Sequence, residues 1–405
     1  MLDTHGGRRP IISISVITAL ALLGDSLLYS LLPLYAGTLG LSTFMVGLLL
    51  SANRWVRLVT NSLASRSFAR WGFSGIMLVN VLLTVVSTVA YAFPLGVGCF
   101  LAARLLWGAC YSHLRLGGYL VALGASPAGL GLALGLIQSF SRLGSMLAVL
   151  GGGLLADRWG YSWVMAGAGL FSLGALPFVG GCRGALGKAE IGSVDPLPQG
   201  GAAPSTDRLS LPFCNAAGFT TCLVGWGMVL SSLSAVLHQR VGMGIELRGS
   251  VLGIATIAGV VTALNWVCTL VVSPLAGRLC DRLGRRVPFL VATLLQGGAL
   301  LCLAWMEQVL ATVVFFTVFF ICLNAQKVFL DAAAGDGALE GGADAVSRYN
   351  SWQDLGSAAG PLLGYGLAAV LSFAVVYLIG AGVLLGVGLL SLRAGKKQRS
   401  VWDAA

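Results

Sequence analysis

The chain has 405 residues, 57% of them hydrophobic and only 10% charged, with a mean hydropathy of +0.88 and a formal net charge of +10. That hydropathy excludes a soluble globular domain, and the lipid bilayer is the expected solvent. The cations sit in short segments between apolar runs, which is how membrane topology is written, so they make no case for nucleic acid.

Arg8 and Arg9 precede an apolar run over 11–36. It is long and shows no small-residue cleavage site, so it reads as an uncleaved first span. Spans two to six are expected at 44–64, 73–93, 96–122, 130–155 and 161–182. Residues 183–210, RGALGKAEIGSVDPLPQGGAAPSTDRLS, are rich in Gly, Pro and Ser and read as a flexible linker. Spans seven to twelve follow at 211–237, 249–275, 287–306, 308–333, 345–371 and 374–392. Runs of this kind match the roughly 20 residues a helix needs to cross a hydrocarbon core. They lack the ~10-residue alternation of a barrel strand. The expected fold is all-α and integral to the membrane, with twelve transmembrane helices. Residues 1–182 make one six-helix bundle, 183–210 the linker, and 211–405 a second bundle with a short tail. The nine cysteines are scattered without a C-x-x-C pair, so neither a metal site nor a disulfide framework is expected.

Orientation follows from Lys and Arg. With the N-terminus cytoplasmic, that side holds 16 cations outside the spans; Arg158, Arg240 and Arg248 are the 3 on the other. The bias places both termini in the cytoplasm of a multi-pass inner or plasma membrane protein.

The halves repeat. Residues 138–154, QSFSRLGSMLAVLGGGL, and 350–366, NSWQDLGSAAGPLLGYG, align at an offset of 212, with Ser139, Leu143, Gly144, Ser145, Leu150 and Gly152 on Ser351, Leu355, Gly356, Ser357, Leu362 and Gly364. The same offset sets Arg115 on Lys327 and Arg142 on Asp354. Parallel repeats of six helices are a secondary-transporter architecture, with the substrate site near the midplane.

Residues 277–286 read GRLCDRLGRR. They are expected to form a short cytoplasmic loop between spans eight and nine. Gly277, Leu279, Asp281, Arg282, Gly284, Arg285 and Arg286 resemble the signature loop of the major facilitator superfamily. The resemblance implies a gating latch whose Asp meets a helix end of the opposite half. The first-half copy, NSLASRSFARWG at 61–72, has Ser65 where the Asp is expected and Asn61 where the Gly is, with Arg66 retained. RLLWG at 104–108 resembles the family's span-four motif, with a buried Arg104 and Gly108. GSAAGPLLG at 356–364 resembles the Gly-Pro motif that antiporters of the superfamily carry in span five, here displaced to span eleven.

Nine ionisable residues are placed within spans: Asp25, Arg54, Arg57, Arg104, Arg115, Arg142, Lys327, Asp331 and Asp354. A charge at a helix centre costs on the order of 3 kcal/mol, so these must pair or face water. Helical spacing puts Asn53, Arg54, Arg57 and Asn61 on one face of span two, and Arg104, Gly108, Tyr111 and Arg115 on one stripe of span four. Gln138, Ser141, Arg142 and Ser145 align on span five, and Asn350, Gln353, Asp354 and Ser357 on span eleven. Polar stripes on several spans point to a shared aqueous interior. In the family fold, Asp25 is expected to meet Arg104 or Arg115, and Asp354 to meet Arg54 or Arg57. Lys327 and Asp331, four apart on one helix, are expected to pair. His113 reads as a satisfied interior histidine.

Six cations face three carboxylates, a balance that favours an anionic small-molecule substrate. Asp25, mid-depth in span one, is the candidate proton carrier. The reading is therefore a proton-coupled secondary transporter working by alternating access as a monomer, without a cofactor. A polyspecific drug/proton antiporter is the alternative, and a non-transporting receptor the reading from another class. An enzyme would need a nucleophile–base set or a metal cluster, which three separated histidines do not supply.

Overall fold

The computed structural model describes residues 8–125, 130–182, 209–247 and 250–394. Spans one to five are the helices Arg8–Tyr35, Thr43–Trp71, Phe73–Ala90, Val97–Ala125 and Leu130–Trp159. Span six is the helical run Tyr161–Cys182. Span seven, Leu211–Val241, contains a π-helical stretch at Cys222–Val229. Spans eight, nine and twelve are Ile254–Leu283, Arg286–Trp305 and Phe373–Ala394.

Four elements differ from the expected ones, beginning with span two, whose helix runs on past residue 64 to Trp71. Span eight starts later, because Gly244–Leu247 and Ser250–Gly253 pair as an antiparallel hairpin before it. It also ends later, so Gly277–Leu283 are the last two turns of a helix rather than a loop. Spans ten and eleven form one helical run, Val309–Val370. That run cannot be straight. The Tyr349 hydroxyl donates to Asp331 Oδ1 at 2.8 Å, whereas 18 residues of straight helix extend about 27 Å. The chain therefore reverses between Asp331 and Tyr349, and two antiparallel spans remain.

Glycine at positive φ closes the short turns: Gly72 (φ 71°) between spans two and three, and Gly284 (φ 81°) between eight and nine. Only glycine takes this conformation without a Cβ clash. The two lie 212 residues apart, so the repeat is written in the turns as well. This register sets Arg70 against Arg282 and Ala69 against Asp281. The alignment of the first-half copy through Ser65 and Arg66 is thus one helical turn out.

Among the described residues, nine helices are long and apolar enough to cross a membrane by length and composition; spans two, four and eleven fall short. Spans two and four hold four of the five mid-span arginines of the first half, Arg54, Arg57, Arg104 and Arg115, and span eleven holds Asn350, Gln353 and Asp354.

The described chain divides into two compact units. One comprises residues 8–182 with Gly242–Trp266, the other residues 209–241 and 267–394. In the first, Ile14, Ile17, Phe68, Met77, Val81 and Val121 share a buried core. In the second, Cys214, Cys280, Phe289, Phe329, Leu330 and Tyr349 do. The repeat also shows in helix packing. Gly144 of span five lies against Ala19 of span one, and Gly356 of span eleven against the Phe219 carbonyl of span seven. Gly360, of the Gly-Pro motif, meets Gly227 of span seven backbone to backbone, the close approach that small residues permit in lipid.

Candidate functional site

The first unit builds a buried ion pair. Arg104 Nη1 donates to Asp25 Oδ1 at 2.6 Å, and Arg104 Nε donates to the Leu49 carbonyl at 2.8 Å. Asn53 Nδ2 donates to the same Asp25 oxygen at 3.2 Å. The Arg104 side chain is 0% exposed and that of Asp25 14%. Of the two partners considered for Asp25, Arg104 is the one in contact. Gly108, one turn on, makes the approach possible: a Cβ there would collide with the Asn53 carbonyl. Spans two and four thus close until Arg104 reaches the span-two backbone. Thr88 packs over Gly24, beside Asp25. Asn53 Oδ1, Thr88 Oγ1 and the hydroxyl of Tyr161 make no hydrogen bond among the described residues, and the Tyr91 hydroxyl lies beside Arg104. Groups of this kind are ordinarily met by buried water, so the surroundings of Asp25 suit hydration.

Around this pair, arginines lie on aromatic faces. The Arg57 guanidinium is 4.9 Å from the centre of the Tyr111 ring, and its Nε donates to the Asn53 carbonyl at 3.2 Å. Arg54 lies 5.4 Å over Tyr29, and Arg142 4.5 Å over Trp266. Arg142 is also within electrostatic reach of Tyr111 and Arg54. Such stacks stabilise by about 0.5–2 kcal/mol, more when dry. Arg115 is exposed. His113 Nδ1 bonds the Ala109 carbonyl of its own helix at 2.9 Å, and its ring lies 5.9 Å from Phe68.

The second unit holds a different cluster. Lys327 Nζ donates to both Asp331 oxygens at 2.6 Å, and Tyr349 and Gln353 donate to Oδ1 at 2.8 and 3.2 Å. This ties span ten to span eleven. Asp354 lies half-buried on span eleven of this unit, while Arg54 and Arg57 belong to the first.

In GRLCDRLGRR, Gly277 and Arg282 are on the last turns of span eight, and Arg282 is exposed. The side chain of Asp281 lies outside the described residues. Gly284 makes the turn. Arg285 Nη1 then donates back to the Cys280 carbonyl at 3.1 Å. Arg286 Nε donates to the Ser391 carbonyl at 3.0 Å, and its Nη2 to the Leu392 carbonyl. These carbonyls lie in the last turn of span twelve as described, where positive charge also meets the negative helix end. Sequence reasoning missed this clamp, as it missed Tyr29 and Trp266. Tyr29 carried a signal, four residues from Asp25 on one helix face; Trp266 carried none. Among the described residues, no group of three or more His, Cys, Asp or Glu is placed to hold a metal.

A profile of the Major Facilitator Superfamily matches residues 14–334, well over half the chain. The chain belongs to this superfamily. It is a multi-pass membrane transporter, not an enzyme. Relatives in the superfamily include "Multidrug resistance protein MdtG" of Klebsiella pneumoniae (strain 342), 28% identical over 63% of this chain and 60% of that protein. The chain thus spans less than two thirds of that relative. The protein of the same name from Salmonella typhi is 25% identical over 92% of each chain. A crystal structure of the peptide transporter POT, a point mutant in complex with alafosfalin, overlays with a TM-score of 0.75 at 15% identity, covering 95% of each chain. At that identity it supports the fold alone.

Proposed function

We propose that this transporter exports structurally varied aromatic organic compounds and favours those bearing an anionic group. The arginine–aromatic stacks of the first unit carry this reading. Each pairs a flat apolar face with a cation, so an aromatic anion meets both of its needs on one surface. Mid-span on spans one, two, four and five, five arginines accompany one carboxylate, Asp25. The MdtG relatives, named for multidrug resistance, support breadth of substrate and outward transport.

The proposed drive is protons, carried by Asp25. In the described state Arg104 and Asn53 both hold the Oδ1 oxygen of its carboxylate. The unpartnered polar atoms around the pair support access of water to it. The proposed orientation has both termini in the cytoplasm, from the cation bias, and the proposed cycle is alternating access between two six-helix halves joined by residues 183–210.

Thermal stabilisation of the purified protein tests the substrate class. Ligand at about 100 times its dissociation constant adds ~2.7 kcal/mol. Aromatic anions are expected to stabilise the protein, and Arg57→Ala to weaken them about tenfold. Stabilisation by lipophilic cations alone would refute the anion preference. In proteoliposomes, Asp25→Asn is expected to abolish proton-driven accumulation while sparing substrate exchange. Equal accumulation by both proteins would exclude Asp25 as carrier.

A further inference from the structure

Span eight begins at Ile254, and the residue before it, Gly253, has no side chain to cap the helix. The first N–H groups of any helix lack internal partners. Here the cap comes from the end of span five. Asp157 Oδ1 accepts the Ala255 N–H at 3.1 Å, and Oδ2 accepts the Thr256 N–H at 2.8 Å and the Thr256 hydroxyl at 2.5 Å. Ala255 and Thr256 are the second and third helical residues, the positions that a capping oxygen ordinarily serves. The negative charge also suits the helix start.

The surroundings are shaped for this contact. A Cβ at residue 253 would collide with the Asp157 carboxylate, so Gly253 is the cradle in which it rests. Below, the two helices touch along a smooth seam. Gly153 lies against the Ala255 carbonyl, and Gly259 against the Val149 carbonyl. Along this seam glycines meet backbone rather than interlocking side chains, and the carboxylate supplies the directional bond. Asp157 is itself exposed, so water can replace its partners when they leave. The capped helix is shared: its residues through Trp266 belong to the first unit, and from Val267 to the second. The repeat offers no counterpart, since Ala369 stands at the offset position.

We infer that Asp157 is the positioning residue that holds the start of span eight on span five while the transporter is closed to the outside, and that it is released and re-formed in each cycle. The inference rests on the alternating access and orientation proposed above.

The test uses cells expressing the full chain with Val149→Cys, a fully buried position on the seam, and a membrane-impermeant maleimide. Labelling is read against the parent with its native cysteines. Asp157→Ala and Gly253→Ala are each expected to raise labelling of the introduced thiol from outside about tenfold, the counterpart of losing a cap of ~1.4 kcal/mol. Asp157→Asn is expected to fall between. Turnover should drop while stabilisation by substrate is kept. Unchanged labelling in both variants, with only a lower melting temperature, would overturn the inference and leave Asp157 a structural cap. Labelling of the introduced thiol from the cytoplasmic side alone would overturn instead the orientation beneath it.

Discussion

The two units each place a cation beside a carboxylate within their spans, and the two pairs differ in kind. Arg104–Asp25 bridges two helices with side chains 0% and 14% exposed; Lys327–Asp331 lies along one helix at 29% and 46%. In the first, Arg104 is sealed from solvent and cannot fall back on bulk water. The second is half wet, and its carboxylate is shared with Tyr349 and Gln353. A pair of this second kind adds little by itself, whereas breaking a buried one strands a charge. One repeat has thus produced a high-stakes polar site in one half and an interhelical tie in the other. The substrate and proton roles proposed above are assigned to the half with more to lose.

The largest effect should come from separating the buried pair. Arg104→Ala is expected to cost about 3–5 kcal/mol, read as loss of folded protein or a large fall in melting temperature. Replacing both partners by apolar residues, Asp25→Leu with Arg104→Met, should recover most of that stability without restoring proton-driven transport. A double variant no more stable than the single would show that the pair's hydrogen bonds, not the stranded charge, carry the cost.

Next in size is the packing that brings each cluster together. Gly108→Ala is expected to cost about 1–3 kcal/mol, because the new methyl meets the rigid carbonyl of Asn53. Gly218→Ala in span seven should cost less than half as much. There the methyl meets side-chain atoms rather than backbone, the Tyr349 ring at 2.8 Å and the Gln353 stem at 3.3 Å. Equal losses would mean that the second unit is packed as rigidly as the first. The smallest effect is expected for Lys327→Ala, within about 1 kcal/mol and fading with salt. A larger, salt-independent loss would erase the contrast between the pairs.

Much of this was legible in the residues. The spans are runs of one solvent preference, and lipid demands helix wherever it is met, so hydropathy finds nine of them among the described residues, while the helices of spans two and eight run on to Trp71 and Leu283, past their expected ends. Stripes such as Arg54–Arg57 and Arg104–Arg115 follow from the helical period. The repeat at 212 set Gly144 and Gly356 in equivalent roles before any packing was visible. Depth was harder to read. Arg104 and Arg115 share a stripe but stand about 16 Å apart along the axis, and spacing alone does not say which is level with Asp25.

Sequence by itself determined that this chain is helical, spans the membrane, is duplicated, and carries charge inside its spans. Those properties depend on side-chain solubility and periodicity, which are local. Tertiary structure decided which arginine meets Asp25, which rings lie beneath the others, and where the long helical run turns back. It also decided what Arg286 and Asp157 do. Their partners are the backbone carbonyls of Ser391 and Leu392 and the backbone N–H groups of Ala255 and Thr256. Every residue but proline carries the same N–H and C=O groups, so only the fold can say which ones stand near a helix end and within reach.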